Sequence, residues 1–191
     1  KCVVIGRYGV GVDNIDVDTA TELGIAVTYV PDYCIPEVSD HVMAMLLSWN
    51  RRIVFFDRAT KTKGWGTEGL GMRIMRLEGK KLGIVGFGRI GRATGKLAQA
   101  FGMQVLAYDT IKIPATEGVE IVDLDTLFRN ADVVSLHCPL TPETEKLVNR
   151  ERLAVMKETA FLINTSRGPL VDAESLALAL EENQIAGAAL D

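Results

Sequence analysis

The sequence predicts an α/β protein built on a doubly wound parallel sheet. Short apolar runs rich in Val and Ile alternate along the chain with amphipathic stretches of helical length. Several of these runs are bordered by glycine, as is typical of buried parallel strands. The chain has 191 residues, of which 48% are hydrophobic and 24% charged, as in ordinary globular proteins. Alternating strands and helices form βαβ units, which place helices on both faces of one sheet.

The predicted elements cover almost the whole chain. Strands are predicted at residues 2–6, 25–30, 81–86, 104–108, 132–138, 160–164 and 185–190, with 119–122 as a weaker candidate. Helices are predicted at residues 16–23, 36–60, 90–101, 124–130, 150–156 and 173–182. The glycine-rich stretch 62–78 breaks the alternation, and we interpret it as a connecting arm. A change of composition around residues 31–36 separates residues 1–36 from the rest.

Charge and composition argue against several classes of function. The formal net charge is −4 and no dense basic block is present, so nucleic-acid binding is not expected. No apolar run approaches the length of a membrane span. Three scattered cysteines are too few for a disulfide framework or a zinc site, so we expect a cytoplasmic protein without a metal. Both ends of the sequence fall within strand patterns, and we therefore expect an internal piece of a longer protein.

A glycine-rich motif predicts a dinucleotide site. The pattern GxGxxG is formed by Gly86, Phe87, Gly88, Arg89, Ile90 and Gly91. It follows one predicted strand and opens a helix, and the next strand leads to Asp109, 18 positions after Gly91. This is the context of a Rossmann-type fold, in which a pyrophosphate rests on the helix N-terminus.

Asp109 predicts which cofactor is bound. Its carboxylate can accept hydrogen bonds from the adenosine ribose, and its charge repels a 2′-phosphate, so NAD is favoured over NADP. The next residues, Thr110 and Ile111, supply no positive charge that would reverse this preference. The alternative is a glycine-rich turn that binds nothing.

Three further blocks carry a resemblance to one protein family. They are residues 7–16 (RYGVGVDNID), residues 137–144 (HCPLTPET) and residues 163–172 (INTSRGPLVD), the last followed by GAALD at the end of the chain. With the glycine-rich motif, the chain resembles the D-isomer-specific 2-hydroxyacid dehydrogenases over essentially its whole length. That family includes phosphoglycerate, glyoxylate and hydroxypyruvate enzymes and the related C-terminal-binding corepressors.

The resemblance implies a subunit of two domains with the active site between them. Residues 1–36 would be the C-terminal part of a flavodoxin-like substrate-domain segment, and residues 37–191 an NAD-binding domain that is incomplete at its C-terminus. The helix and arm at 37–78 would form the contact of a homodimer. The implied substrate is a small 2-hydroxy or 2-oxo acid, and neither nucleic acid nor a membrane is an expected partner.

Arg167 matches the arginine that binds substrate in this family. A guanidinium offers a rigid fork to a carboxylate and can polarise a keto oxygen during reduction, so Arg167 is the predicted substrate-binding and catalytic residue. It follows a predicted strand, and ligands bind beyond the carboxyl ends of parallel strands. The alternative is a surface arginine paired with Asp172 or Glu174.

The turn around Val10 and Gly11 is the second predicted substrate element. Glycines on both sides of Val10 expose backbone N–H groups, which can cradle a carboxylate. The resemblance assigns this role to the amides of Val10 and Gly11. The alternative is a plain strand-to-helix turn with Asp13 as the helix N-cap.

The resemblance implies further contacts to NAD. Asp191 would contact the nicotinamide carboxamide, and Thr165 would offer its backbone carbonyl nearby. His137 and Pro139 would close the adenine side, with Cys138 as an apolar wall rather than a reactive thiol. The remaining predicted cofactor contacts are Thr144, Ser166 and Arg167.

Neither histidine of the chain matches the family's proton donor. His41 lies in a predicted helix, and His137 lies on the adenine side. In the family, the catalytic histidine and the glutamate that orients it follow the Ala-Leu-Asp block, so we expect both beyond residue 191. This stretch alone is therefore expected to be inactive.

Two functions are open for the protein at this point. The first is hydride transfer between NAD(H) and a D-2-hydroxy acid. The second is an NAD-sensing interaction protein like the corepressors. A third hypothesis concerns this chain alone, which would bind NAD weakly or not at all.

Overall fold

The computed structural model describes residues 1–65 and 74–191, in which strands and helices alternate largely as predicted. The strands are β1 (Val4–Gly6), β2 (Ala26–Thr28), β3 (Lys81–Val85), β4 (Gln104–Tyr108), β5 (Val119–Ile121), β6 (Val133–Leu136), β7 (Phe161–Asn164) and β8 (Gly187–Leu190). The helices are α1 (Val17–Glu22), α2 (Ile35–Asn50), α3 (Ile53–Lys63), α4 (Arg89–Ala100), α5 (Leu124–Asn130), α6 (Arg150–Val155) and α7 (Ala173–Glu181). A 3₁₀ helix covers Gly168–Leu170. The middle of the predicted arm, residues 66–73, lies outside the described residues.

Six parallel strands form the main sheet in the order β5-β4-β3-β6-β7-β8. This order places β3 at the centre, where the chain reverses direction across the sheet, and it confirms the predicted Rossmann-type fold. Val85 pairs with both Tyr108 and Leu136, and Asn164 pairs with both Leu136 and Leu190. Because these last residues are in register, five strands end on one line at the carboxyl edge of the sheet.

The sheet is covered on both faces by apolar helix surfaces. On one face Leu127 of α5 and Leu153 of α6 pack in a core with Val134 and Leu162. On the other face Leu46 of α2 packs in a second core with the remaining central-strand side chains. Burial on both faces explains why the strands read as continuous apolar runs rather than as alternating patterns.

The predicted helix at 36–60 is in fact two helices. α2 ends at Asn50 and α3 begins at Ile53, because Arg52 adopts a left-handed conformation with φ of 56°. The Asn50 side chain exchanges two 2.8 Å hydrogen bonds with the Met75 backbone, which fixes the end of α2 beside the approach to β3. α2 buries five residues and α3 buries none. The break therefore falls where packing against the sheet ends.

The N-terminal residues form a small unit of their own. β1 and β2 pair in parallel as a two-stranded sheet, and α1 connects them. The N-cap of α1 is Asp16, whose carboxylate accepts a 2.9 Å hydrogen bond from the Thr19 amide. The alternative that made Asp13 the helix N-cap is therefore wrong.

Within the described ranges, no helix is long and apolar enough to cross a membrane.

Candidate nucleotide and substrate site

Predicted site residues follow directly on the aligned strand ends. In chain order these residues are Gly86, Asp109, His137, Thr165 and Asp191. Each directly follows a strand whose last residue is in register with its neighbours. Because neighbouring strands lie about 4.8 Å apart, the five residues form a continuous row along the carboxyl edge of the sheet. This is the edge at which doubly wound folds bind their ligands.

The three glycines of the motif have three different surroundings. Gly86 has φ of +92°, and a Cβ there would lie 2.6 Å from the backbone nitrogen of Cys138. A Cβ on Gly91 would collide with the Gly86 carbonyl oxygen. Gly88 has no atom within 4 Å of that position. At the first and third glycines the turn therefore packs against other backbone atoms of the protein. At the second glycine, Gly88, the outer face of the turn is open.

The open face leads to the start of α4. Gly88 is the N-cap of this helix and supplies no side-chain hydrogen bond to its first turn. The first N–H groups of a helix have no intrahelical acceptor and carry partial positive charge. An uncapped helix start beside the open face of Gly88 fits the pyrophosphate of NAD.

The other residues of the motif differ in how far their side chains are exposed. Phe87 is only 3% exposed and packs in the core under α4, so only its backbone faces the turn. Arg89 is exposed and donates a 3.3 Å hydrogen bond to the Pro31 carbonyl of the N-terminal unit. Ile90 is half-buried. The turn thus offers backbone groups rather than side chains to a ligand.

Asp109 is held by the same turn. Its Oδ2 accepts a 2.7 Å hydrogen bond from the Phe87 amide, and its Oδ1 accepts a 3.1 Å bond from the Ile111 amide. An ionised carboxylate has about four acceptor sites, so each oxygen keeps capacity for another donor. Asp109 is fixed beside the glycine-rich turn, as the sequence predicts for a residue that binds the adenosine ribose.

His137 and Cys138 lie on the other side of the turn. The His137 Nε2 is 2.9 Å from the Oγ of Ser135, and burial lowers the pKa of the imidazole to about 4. Burial also raises the pKa of the Cys138 thiol to about 11. At neutral pH the imidazole is therefore uncharged and the thiol is protonated. These two side chains are better suited to line a binding site than to transfer a proton or attack as a nucleophile.

Thr144 shapes the loop after β6. Its hydroxyl donates to the Pro139 carbonyl at 2.7 Å and accepts from the Thr141 amide at 2.7 Å. Pro139 is exposed at the start of this loop. These bonds hold the Thr144 hydroxyl within its own turn, and its contact with the cofactor stays a prediction.

The loop after β7 is fixed by Asn164, for which the sequence predicted no role. The Asn164 side chain donates to the Arg167 carbonyl at 2.8 Å and accepts from the Ser166 amide at 3.0 Å. Ser166 Oγ donates to the Cys138 carbonyl at 2.7 Å, which ties this loop to the one after β6. The Thr165 Oγ1 is buried without a hydrogen-bond partner in the described part of the chain. The sequence signals for Asn164 were its place at the end of a buried strand and its place in the block 163–172.

Arg167 leaves this loop and meets the N-terminal unit. Its Nε lies 3.0 and 2.9 Å from the two carboxylate oxygens of Asp13, and its Nη2 lies 2.7 Å from Oδ1. The hydrogen bonds from Arg167 hold the pKa of Asp13 below its usual range. The alternative partners were wrong, since Asp172 instead lies 3.9 Å from Lys146.

The two predicted substrate elements lie against each other. A Cβ on Gly11 would collide with the Nη2 of Arg167 and would lie 2.7 Å from Asp13 Oδ1. Among residues 1–65 and 74–191, no hydrogen bond uses the amides of Val10 or Gly11. The Gly11 backbone therefore lies directly against the Arg167 guanidinium, and a guanidinium beside backbone amides that have no partner among the described residues suits a carboxylate.

A cavity of about 970 Å³ lies elsewhere, between α4 and β5. Phe87 is the one predicted site residue in its lining. We therefore place the candidate site at the carboxyl edge of the sheet, where the loops after the strands converge.

No group of three or more metal-ligating side chains occurs in the described ranges.

Comparison with known proteins gives a consistent result. Residues 43–191 match the family described as D-isomer specific 2-hydroxyacid dehydrogenase, NAD binding domain. The chain is 44% identical to a glyoxylate reductase of Thermococcus litoralis and 42% identical to a D-3-phosphoglycerate dehydrogenase of Methanocaldococcus jannaschii, with 100% of the chain covered in both cases. These alignments cover 60% and 37% of the two relatives.

A solved structure is similar to this chain in fold. The D-lactate dehydrogenase from Aquifex aeolicus, complexed with NAD and lactic acid, superposes with a TM-score of 0.91 at 36% identity. The match covers 99% of this chain and 57% of that protein. The chain thus spans less than two thirds of the length of these proteins.

Proposed function

The chain belongs to the D-isomer specific 2-hydroxyacid dehydrogenase family, and we propose that its protein transfers a hydride between NAD(H) and a small D-2-hydroxy or 2-oxo acid. One observation carries this proposal. The Gly11 backbone, whose amide has no hydrogen-bond partner among the described residues, lies directly against Arg167, and Arg167 lies in a loop at the same sheet edge as the glycine-rich turn. A carboxylate site and a dinucleotide site side by side are what the reaction requires.

The proposed cofactor contacts follow the row of strand ends. The amides of Gly88 to Gly91 hold the pyrophosphate, and Asp109 accepts hydrogen bonds from the adenosine ribose. His137 and Pro139 border the adenine, and Thr165 and Asp191 orient the nicotinamide carboxamide. When bound, NADH supplies the hydride.

Substrate chemistry is proposed to rest on Arg167. Its guanidinium binds the substrate carboxylate together with the amides of Val10 and Gly11, and it stabilises the charge that develops on the keto oxygen. His137 is unsuited as proton donor because burial keeps its pKa near 4. We propose that a histidine outside residues 1–191 transfers the proton, and that a glutamate outside the same residues orients this histidine.

A substrate panel tests the proposal. The full-length protein is assayed for NADH oxidation with glyoxylate, hydroxypyruvate, pyruvate and 3-phosphohydroxypyruvate. Turnover of at least one 2-oxo acid is expected. Tight NADH binding without turnover of any of them would contradict the enzyme function and favour an NAD-sensing interaction protein.

Asp109→Asn is expected to weaken the preference for NADH over NADPH. The substitution removes the charge that repels a 2′-phosphate and weakens the acceptor for the ribose, so the ratio of kcat/KM values should fall by about 10- to 100-fold. Steady-state kinetics with both cofactors measures the ratio. Asp125→Asn, at an exposed position in α5, is the matched control and should leave it unchanged. An unchanged ratio in Asp109→Asn would refute the ribose contact.

We also propose a homodimer that uses α2, α3 and the following arm. α3 buries no residue and exposes 54% of Ile53, 58% of Val54 and 39% of Phe55, which are large apolar side chains. A groove of about 520 Å³ between α2, α3 and β8 adjoins them. Apolar surface of this kind marks protein contacts.

Residues 1–36 and 37–191 are proposed as parts of separate domains. The free cysteines suit a cytoplasmic protein, which is the location that we propose.

Val54→Asp is expected to convert this dimer to a monomer, because it places a charge on the apolar face. Size-exclusion chromatography with light scattering measures the mass of the full-length protein. Asp57→Asn, on the same helix, serves as a control and should leave the dimer intact. A Val54→Asp protein with the mass of the unmodified one would argue against this interface.

A further inference from the structure

Asp13 forms an ion pair with Arg167 at the candidate substrate site. It binds Arg167 through two nitrogens, although 154 positions separate the two residues. Asp13 belongs to the N-terminal unit and Arg167 to the loop after β7. A bidentate pair fixes the plane of the guanidinium as well as its position. The orientation of Arg167 is therefore set by the same segment that carries Val10 and Gly11.

The pair leaves part of the guanidinium free for a second anion. Arginine has five N–H donors in a rigid plane. Asp13 takes the edge formed by Nε and Nη2, and Nη1 donates a 2.8 Å bond to the Ser166 carbonyl. One N–H remains on each of Nη1 and Nη2. These two protons can bind a substrate carboxylate or keto oxygen without displacing Asp13.

The backbone around Asp13 is held against the guanidinium. Gly11 packs directly on Arg167, where no Cβ would fit, and its carbonyl accepts a 3.1 Å bond from the Nε of Arg7. A Cβ on Gly9 would lie 3.1 Å from the Arg7 Cζ. Two arginines thus contact the turn: Arg7 binds the Gly11 carbonyl, and Arg167 packs on the Gly11 backbone.

We propose that Asp13 is a positioning residue for substrate binding. It holds the side edge of Arg167 so that the terminal nitrogens and the amides of Val10 and Gly11 bind the same carboxylate. This inference rests on the proposed function. It predicts that Asp13 affects the affinity for 2-oxo acids through Arg167 and leaves the affinity for NADH unchanged.

Asp13→Asn tests the proposal in the full-length protein. Removing the charged acceptor should raise the KM for the 2-oxo acid about tenfold or more while kcat falls less. The dissociation constant of oxamate, an unreactive 2-oxo acid analogue, should rise by a similar factor in the NADH-bound protein. NADH fluorescence reports oxamate binding without turnover, and NADH titration should give an unchanged dissociation constant. Asp18→Asn, exposed in the same segment, is the matched control.

A double-mutant cycle separates positioning from a general structural effect. In an Arg167→Lys background, adding Asp13→Asn should change oxamate affinity less than twofold, because Asp13 acts through the guanidinium. Asp13→Glu should recover part of the lost affinity. Equal oxamate affinity of the unmodified and Asp13→Asn proteins would overturn the inference, as would additive effects in the cycle.

The oxamate assay also separates this inference from the proposed function. If the unmodified protein binds oxamate but turns over no 2-oxo acid, the proposed reaction fails and the role of Asp13 is still decided by the affinities. If the NADH-bound protein binds no oxamate, the carboxylate site and the role of Asp13 are both refuted.

Discussion

Arg167→Met is expected to lower kcat/KM for the 2-oxo acid by about 10³-fold or more, with little change in NADH affinity. The substitution removes the charged fork proposed to bind the carboxylate and stabilise the developing charge on the keto oxygen. It also leaves the Asp13 carboxylate without its partner, so a negative charge faces the incoming substrate. Both effects act on the substrate, whereas the proposed pyrophosphate and ribose contacts lie at other strand ends.

Steady-state kinetics and NADH titration of the full-length protein measure this prediction. Arg129→Met, at an exposed position in the last turn of α5, is the control and should keep full activity. Arg167→Lys should recover little, because a lysine ammonium cannot replace a planar two-point contact. A kcat/KM of Arg167→Met within tenfold of the unmodified value would exclude Arg167 from the reaction.

Gly86→Ala is expected to lower the free energy of unfolding by about 3 kcal/mol or more. Gly86 has φ of +92°, which a residue with a side chain rarely adopts. Its new Cβ would lie 2.6 Å from the Cys138 nitrogen and 2.7 Å from the His137 carbonyl carbon. These are backbone atoms of the strand end beside β3, so they cannot move away as a side chain can.

Thermal unfolding without cofactor measures the effect, and a fall in Tm of about 6–12 °C corresponds to it for a chain of this size. Gly88→Ala is the matched comparison, because no atom lies within 4 Å of its new Cβ. That variant should keep its Tm without cofactor and bind NADH at least about tenfold more weakly, since its methyl group stands where the pyrophosphate approaches. Equal Tm values for the two variants would contradict this account of the turn.

The order of strands and helices could be predicted because its signals are local. Buried parallel strands are continuously apolar, helices have a repeating apolar face, and glycine marks the turns between them. Each of the eight predicted strands occurs close to its predicted position in the described residues. The break in the helix at Arg52 was not predicted, because both halves have helical patterns and the Asn50 bonds at the end of α2 reach Met75, 25 positions away.

The nucleotide half of the site was equally accessible to sequence analysis. The glycine-rich turn, the helix after it and Asp109 at the end of the next strand lie within a short stretch, and local geometry fixes their relation. The occupation of the Thr144 hydroxyl by its own loop was not foreseen. It depends on how the loop folds back to Pro139, which no periodicity reports.

The sequence alone predicted the order of strands and helices, the turn that we propose faces a dinucleotide, and the arginine that follows β7. Each of these properties depends on residues that are neighbours in the chain. Only the tertiary structure decided that Arg167 pairs with Asp13 and packs on Gly11. Charged partners far apart in sequence leave no local pattern, because the contact between them exists only once the N-terminal unit packs beside the edge of the sheet.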